Sequence, residues 1–414
     1  MSNLHLKFKG PLKGSPVLPT SKSESNRALI LNLFSGGKLQ ISNLSNAKDT
    51  RILQKLAANQ SEIFDAGDAG TSFRFMTAYL GVRGKEAVLT GSERMKERPI
   101  ALLVDALRKL GAKIEYIGNE GYPPLKFSGF KDSGLSEIEI DATVSSQYIS
   151  ALMMAGPSLP NGIKIYLLGD VVASWPYLEL TWNQMQKVGI SGDFSQKLIA
   201  IPNQEFKATA ISIESDWSAV AYWYAMLALS PEKTNFSLAN LFKGSFQGDS
   251  AIQPIFEKWG IKSSFSENYL VIEKKENSKI NGCLELDFLN IPDQGQTFIA
   301  LCAATGIEAY FTGLQSLAIK ETNRLLAMKT ELKKIGVEIE INEKEGTCFI
   351  AGNQKLMEPS QAFETYKDHR MAMALSIFAI VFKDGIVIEN PDVVEKSYPD
   401  FWKELEKVGF EIVQ

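Results

Sequence analysis

Several short stretches of this chain gather cations, hydroxyls and carboxylates in patterns suited to anion chemistry. The first, Ser21-Lys22-Ser23-Glu24-Ser25-Asn26-Arg27, offers a point cation, several hydroxyls and an arginine one helical turn further on. Arginine suits two-pronged contacts to carboxylate or phosphate, and lysine serves as a mobile charge. Asp68-Ala69-Gly70-Thr71 would let backbone approach a ligand closely. Arg94-Met95-Lys96-Glu97-Arg98-Pro99 places three cations ahead of an apolar run. In the second half Asp293 opens an apolar segment, Lys320-Glu321-Thr322-Asn323-Arg324 sets cations around a carboxylate, and Asp368-His369-Arg370 carries one of the two histidines. Lys396 precedes a further turn. Taken singly, each stretch has an ordinary reading. The serines and Asp293 could cap helices, Arg94 to Arg98 could be a solvated face, and His369 could be a core residue. If Lys320 and Arg324 are helical, they share a face four residues apart. No GxGxxG, phosphate-binding P-loop or clustered metal-ligand pattern is present. The inventory suits transfer between two anionic substrates with acid–base help, and no metal or cofactor is called for.

The elements that must position these groups repeat. A polar or small turn followed by mostly apolar helix formers begins near Ser25, Gly70, Ser145, Ser218, Asp293 and Asp368. The last four intervals are 75, 73, 75 and 75 residues, and the first is 45. Each start supplies helix N-terminal N–H groups, which attract anions. A second series ends amphipathic text in glycine at Gly111, Gly189, Gly260, Gly336 and Gly409, spaced by 78, 71, 76 and 73 residues, with Asn59 as a weaker sixth member. Glycine there supplies the left-handed stop of a helix. A fixed period of this length marks stacked structural units. Each unit therefore carries one buried apolar helix, one amphipathic helix and short strands, an α/β architecture of α+β repeats. Six units divide into two domains of three. We assign residues 21–214 to the first domain, with its first repeat shortened and expected to lack a strand–helix piece. Residues 215–414 form the second; residues 1–20 precede the first unit and could pair with either half by composition, and we assign them to the second.

Bulk properties narrow the function classes. Hydrophobic residues make up 45% and charged residues 22% of the 414, with a net charge of −4. That is ordinary for a soluble globular protein and excludes a broadly basic nucleic-acid surface. Cys283, Cys302 and Cys348 show no paired spacing. No signal-like apolar segment opens the chain, and no apolar run is long enough for a bilayer. The expectation is a cytoplasmic monomer acting on small molecules, without nucleic acid or membrane partners.

Together, Ser21 to Leu29, Asp68 to Thr71, Leu89 to Gly91 with Arg94 to Ile100, Ser145-Ser146-Gln147, Ser174 with Pro176-Tyr177, Gln247-Gly248-Asp249, Ile291-Pro292-Asp293, Lys320 to Arg324, Asp368 to Met373 and Lys396 resemble the 5-enolpyruvylshikimate-3-phosphate synthase family of the shikimate pathway. The resemblance spans nearly the whole chain. It implies two similar domains of three repeats each, buried parallel helices and an active site in the interdomain cleft. It implies transfer of the enolpyruvyl group of phosphoenolpyruvate to the 5-hydroxyl of shikimate 3-phosphate, on the way to chorismate and the aromatic amino acids. By resemblance, Lys22, Ser23, Arg27, Ser145, Ser146, Gln147, Ser174, Tyr177, Asp293 and Lys320 hold shikimate 3-phosphate. Lys22, Gly70, Arg98, Gln147, Arg324, Arg370 and Lys396 hold phosphoenolpyruvate. Asp293 takes the hydroxyl proton, and Glu321, oriented by His369 and assisted by Lys22, protonates the methylene. The resemblance also implies competition between glyphosate and phosphoenolpyruvate. The chain departs from the family pattern at Asp68, Phe75 and Ser316. Two other readings are a UDP-N-acetylglucosamine enolpyruvyl transferase and a non-catalytic anion-binding repeat protein. The first typically needs a reactive cysteine in the first half, where this chain has none. The second leaves the acid–base residues without a task.

Overall fold

The computed structural model describes residues 3–169, 171–275 and 280–413. Its mixed α/β chain divides into two compact units, one of residues 20–213 and one combining residues up to 19 with those from 214 onward.

In the unit of residues 20–213, helices Lys22–Phe34, Gly70–Arg83 and Ser146–Ala155 are buried on nearly every face. They lack the polar stripe of a surface helix, so only burial removes them from water. Ile30, Leu31, Phe75, Met76, Ile149 and Leu152 meet in one core. Helices Lys48–Ala58, Ala101–Leu110 and Trp175–Lys187 bury one side only. Strand Ile63–Asp65 runs parallel to Ala87–Thr90, followed by Leu125–Phe130 and Ala112–Tyr116 in antiparallel pairing. The same order recurs in Glu137–Asp141, Ile163–Leu168, Leu198–Ile201 and Asp193–Phe194. A third sheet pairs Thr209–Ser212 parallel with Leu39–Ser42 alone. The last strand of each repeat joins the sheet of the next, and the third repeat returns its strand to the first. Parallel pairing of this kind requires a crossover, which the helices provide.

The short first repeat corrects an expectation. Its helix Lys48–Ala58 is in place. Among the described residues it lacks only the antiparallel strand pair that the next two repeats carry. The chain does not double back there, so Asn59 has φ −69° and is no counterpart of the glycine stops. All five glycines of that series do adopt positive φ, between 74° and 120°. At Gly111 a Cβ would also strike the carbonyl oxygen of Lys131.

The other unit repeats the plan. Helix Trp217–Leu229 is buried from Trp217 to Leu227 except at Ser218. Helices Gly295–Thr305 and His369–Leu375 are likewise enclosed, and the latter continues as a 3-10 helix over Ser376–Ile380. Leu284–Asp287, Ala309–Thr312, Thr347–Ile350 and Ile339–Asn342 repeat the parallel, antiparallel, antiparallel order. In the last repeat the N-terminal strand Asn3–Phe8 takes the third place, antiparallel to both Ile386–Glu389 and Phe410–Val413. A parallel bridge from Phe363 to Ile388 stands where the first strand would be. Leu4 and Leu6 alternate with exposed Asn3 and His5, so one face of that strand enters the core. The chain's first residues thus belong with its last because they fill a gap in the final sheet.

This placement is open to measurement. Leu6→Ala should destabilise its unit by about 2–5 kcal/mol, as for other buried leucines, whereas Asn3→Ala should change stability by less than about 0.5 kcal/mol. Chemical denaturation would compare them, and equal effects would contradict insertion of the strand.

Candidate active site

Ser21 caps helix Lys22–Phe34 by accepting from the Glu24 N–H, which sets Lys22 at the helix start. The Lys22 ammonium lies 3.3 Å from Asp49 Oδ2, on the amphipathic helix that follows. Arg27 is buried one turn along and donates to Thr181 Oγ1 (2.6 Å), the Ser23 carbonyl (3.0 Å), the Tyr177 carbonyl (3.2 Å) and Ser150 Oγ (3.4 Å). Its guanidinium also lies over the rings of Phe75 and Tyr177. Burial pulls its pKa down to about 10, against the pull of Tyr177 and Glu24. Among the described residues all these hydrogen bonds go to neutral oxygens. Phe75 thus lies against the Arg27 guanidinium.

Gly70 opens the next buried helix. A Cβ there would meet the guanidinium groups of Arg98 and Arg74, so two cations converge on this turn. Arg74, absent from the sequence-derived set, is buried, donates to the Gly70 carbonyl (3.2 Å) and faces the Tyr148 ring. Ser145 caps helix Ser146–Ala155 through the Gln147 N–H. The Gln147 side chain then donates to Thr71 Oγ1 at 3.2 Å, joining this turn to Gly70. Ser174 has φ 54° at the head of helix Trp175–Lys187, and its carbonyl accepts from the Tyr177 N–H. The structure thus links Ser23, Arg27, Ser174 and Tyr177 in one group, and Gly70, Arg98 and Gln147 in another.

The second-half residues form one charge network. Asp293 lies in the 3-10 turn Pro292–Gln294 and makes no side-chain cap, which removes the capping explanation. Its Oδ1 meets Arg324 Nη1 (2.9 Å) and Lys320 Nζ (3.1 Å), and Oδ2 meets Arg370 Nη2 (3.3 Å). Burial opposes ionisation of Asp293. Arg370, Lys320 and Arg324 outweigh it and hold the carboxyl well below the usual range. Glu321 bridges Lys396 (3.0 Å) and Arg324 Nη2 (2.9 Å). Buried Arg324 also grips Asp368 through Nε at 2.7 Å. Burial alone would lower its pKa, but Asp368, Glu321 and Asp293 raise it above the ordinary value. His369 is buried, with Nδ1 3.7 Å from Asp368 Oδ1. Lys320 and Arg324 are not on one helix, so the shared face that helical spacing would give does not form. Helix Arg324–Lys333 begins after the Asn323 cap, and Lys320 reaches Asp293 from the preceding loop.

The sequence reading left two carboxylates of this network without a role. Asp368 caps helix His369–Leu375 and holds Arg324. Asp249 accepts from the Ser218 hydroxyl, which in turn accepts from Arg370 Nη2 at 3.2 Å. In the sequence Asp249 ends Gln247-Gly248-Asp249, and Ser218 marks a helix start. Neither stretch shows from sequence that they meet at Arg370. Burial pushes the Asp249 carboxyl up to about 6, with Asp293 adding to the rise, while Arg370 and Ser218 pull it down. The network can bind anionic groups through its cations and move protons through its carboxylates. Among the described residues no His, Cys, Asp and Glu group could hold a metal ion.

A raised folded-state pKa means that folding favours the protonated acid. Its stabilising contribution is full below the unfolded pKa near 4 and is lost as pH rises through about 6. Asp249→Asn removes the cost of burying the anion. Its stability gain over wild type should be about 1 kcal/mol larger at pH 8 than at pH 5. Thermal unfolding at the two pH values measures this, and a pH-independent difference would show that Asp249 does not titrate there.

The EPSP synthase (3-phosphoshikimate 1-carboxyvinyltransferase) family model matches residues 51–405. A 3-phosphoshikimate 1-carboxyvinyltransferase of Bacteroides fragilis (strain YCH46) is 44% identical over 402 residues, covering 97% of this chain and 96% of the relative. One from Mannheimia haemolytica is 33% identical over 445 residues, covering 96% and 97%. The solved EPSP synthase of Acinetobacter baumannii aligns with a TM-score of 0.76 over 100% of both chains at 19% identity. The enolpyruvyl transferase NikO of Streptomyces tendae aligns at 0.74 and 13% identity, over 99% of this chain and 98% of its own. Those two structures share the fold. With a family match over most of its length and relatives at these identities along nearly all of it, the chain belongs to the EPSP synthase family.

Proposed function

We propose that this enzyme transfers the enolpyruvyl group of phosphoenolpyruvate to the 5-hydroxyl of shikimate 3-phosphate, releasing phosphate. Family membership supports the reaction. The observation that carries the assignment of residues is Asp293, ionised among three cations, with Glu321 on the same arginine. Arg27, with its neutral hydrogen-bond partners, suits the acceptor's negative charge, together with Ser23, Ser145, Ser146, Gln147, Ser174, Tyr177 and Lys320. Lys22, Gly70, Arg98, Gln147, Arg324, Arg370 and Lys396 take phosphoenolpyruvate.

In the addition step the 5-hydroxyl oxygen bonds to the central carbon of phosphoenolpyruvate and gives its proton to Asp293. Glu321 gives a proton to the methylene carbon, which becomes a methyl group, with His369 and Lys22 assisting. The elimination step returns a proton from that methyl to Glu321 and expels phosphate, which carries off the proton held by Asp293, restoring the double bond in the product ether and both carboxyls to their starting states. Three cations make Asp293 a weak base, since an acid–base group works best with a pKa near the working pH. The anionic groups of phosphoenolpyruvate share the charge of Arg324 and Arg370 and so let the Asp293 pKa rise. Substrate binding thereby activates the base. The thiols do not favour the UDP-N-acetylglucosamine alternative. Burial pushes Cys302 up and Cys348 up to about 12, whereas a reactive cysteine needs a lowered pKa. The reading assigns two small-molecule substrates and a monomer working in the cytoplasm, the last two resting on sequence alone.

Asp293→Asn should keep both substrates bound while turnover falls by about 100- to 10,000-fold. Phosphate release combined with equilibrium binding measures the two separately, and near-normal turnover would remove Asp293 from the reaction. Gly70→Ala should raise the KM for phosphoenolpyruvate, because the methyl displaces the Arg98 and Arg74 guanidinium groups. Unchanged steady-state constants would show that this turn does not face the substrate.

A further inference from the structure

Residues 365–368 form a tight turn closed by the Asp368 N–H on the Thr365 carbonyl at 2.8 Å. Both central residues, Tyr366 at φ 52° and Lys367 at φ 56°, are left-handed. Positive φ at both central positions is the mark of a type I′ turn, which strongly favours Asn-Gly and its kin. Tyrosine and lysine carry a Cβ penalty there. Strain of this sort persists where the surroundings over-determine it. The turn delivers Asp368 to Arg324 and leads directly into His369 and Arg370.

What holds it is a carboxylate that the reaction does not use. Glu331, 0% exposed, lies on helix Arg324–Lys333. One of its oxygens accepts from the Tyr366 hydroxyl at 2.7 Å. The other accepts from the Glu364 N–H at 2.9 Å and pairs with Lys334 Nζ at 2.7 Å. Lys334 also donates to the Ala362 carbonyl, and Phe363 exchanges backbone hydrogen bonds with residues 387 and 389. Arg324 and Glu331 are seven residues apart, two helical turns, and so lie on one side of their helix. That helix grips the segment twice, with Glu331 on residues 364 and 366 and with Arg324 on Asp368.

We propose that Glu331 and Tyr366 are positioning residues. Their contact holds the strained turn so that Asp368 fixes Arg324 and Arg370 meets Asp293. The inference rests on the assignment of Arg324 and Arg370 to phosphoenolpyruvate. Tyr366→Phe deletes one hydroxyl and keeps the ring. Because that hydroxyl bonds a buried charge, its loss should raise the KM for phosphoenolpyruvate about tenfold, with kcat and the KM for shikimate 3-phosphate changed less than about twofold. Lys367 is exposed, and Lys367→Gly relaxes the turn without removing buried contacts. Added to Tyr366→Phe, it should restore most of the lost affinity. Recovery of this kind is a readout that a merely structural hydrogen bond would not give. A lowered Tm with wild-type constants in Tyr366→Phe would overturn the proposal, and so would equal changes in both KM values. Arg370→Lys separates the levels. If it raises the phosphoenolpyruvate KM while Tyr366→Phe does not, the proposal alone fails. If Arg370→Lys itself has the wild-type KM, the underlying assignment fails with it.

Discussion

Arg324 is the group around which the second-half site is built. Its guanidinium is buried and holds Asp293, Glu321 and Asp368 from three separate segments. Removing one partner from such a buried ionic set costs several kcal/mol, because the rest stay desolvated and uncompensated. The consequence at Asp293 follows from magnitudes. A charge pair 4 Å apart gains roughly 4 kcal/mol at an effective dielectric of about 20, and Asp293 has three cations closer than that. Together they exceed the several kcal/mol that burying one carboxylate costs. Asp293 is therefore firmly ionised and, for the same reason, weakly basic. Any chemistry in which it accepts a proton must first redistribute the charge of its cations.

The repeats explain how such a network can be placed at all. Each buried helix is held by apolar packing along its length, so its first turn is fixed and its N–H groups have a set direction. Asp368 and Asp216 cap their helices through side chains, and the residues just inside, Arg370 and Ser218, meet each other. Apolar sequence deep in the unit thereby fixes polar geometry at the helix start. The N-terminal strand serves the same end by closing the last sheet against the 3-10 segment Ser376–Ile380, which continues helix His369–Leu375.

Much of this was legible in the chain. The period is written in strong signals, apolar helices and terminal glycines, and every glycine of that series is left-handed in the structure. Asn59 failed because a residue type was matched without the reversal that a glycine stop serves. Whether Lys320 and Arg324 share a helix stays open from spacing alone, which cannot reveal the cap at Asn323 between them. Asp249 and Glu331 were not readable as site groups. Their importance lies in contacts across 31 or more residues, to Ser218 and to Tyr366, and single-sequence periodicity carries no such pairing. The strain at Tyr366 and Lys367 was hidden for the opposite reason, since neither residue type marks a left-handed turn.

The central claim is that substrate binding relieves the charge on Asp293 and so makes it a base. Carbon-13 NMR of enzyme labelled at aspartate carboxyls, with the Asp293 resonance identified by its loss in Asp293→Asn, reads this directly. The account predicts a carboxyl titrating well below the ordinary aspartate range in the enzyme alone and at higher pH when phosphoenolpyruvate is bound. An Asp293 titration that stays unmoved by phosphoenolpyruvate, or moves to still lower pH, would contradict it.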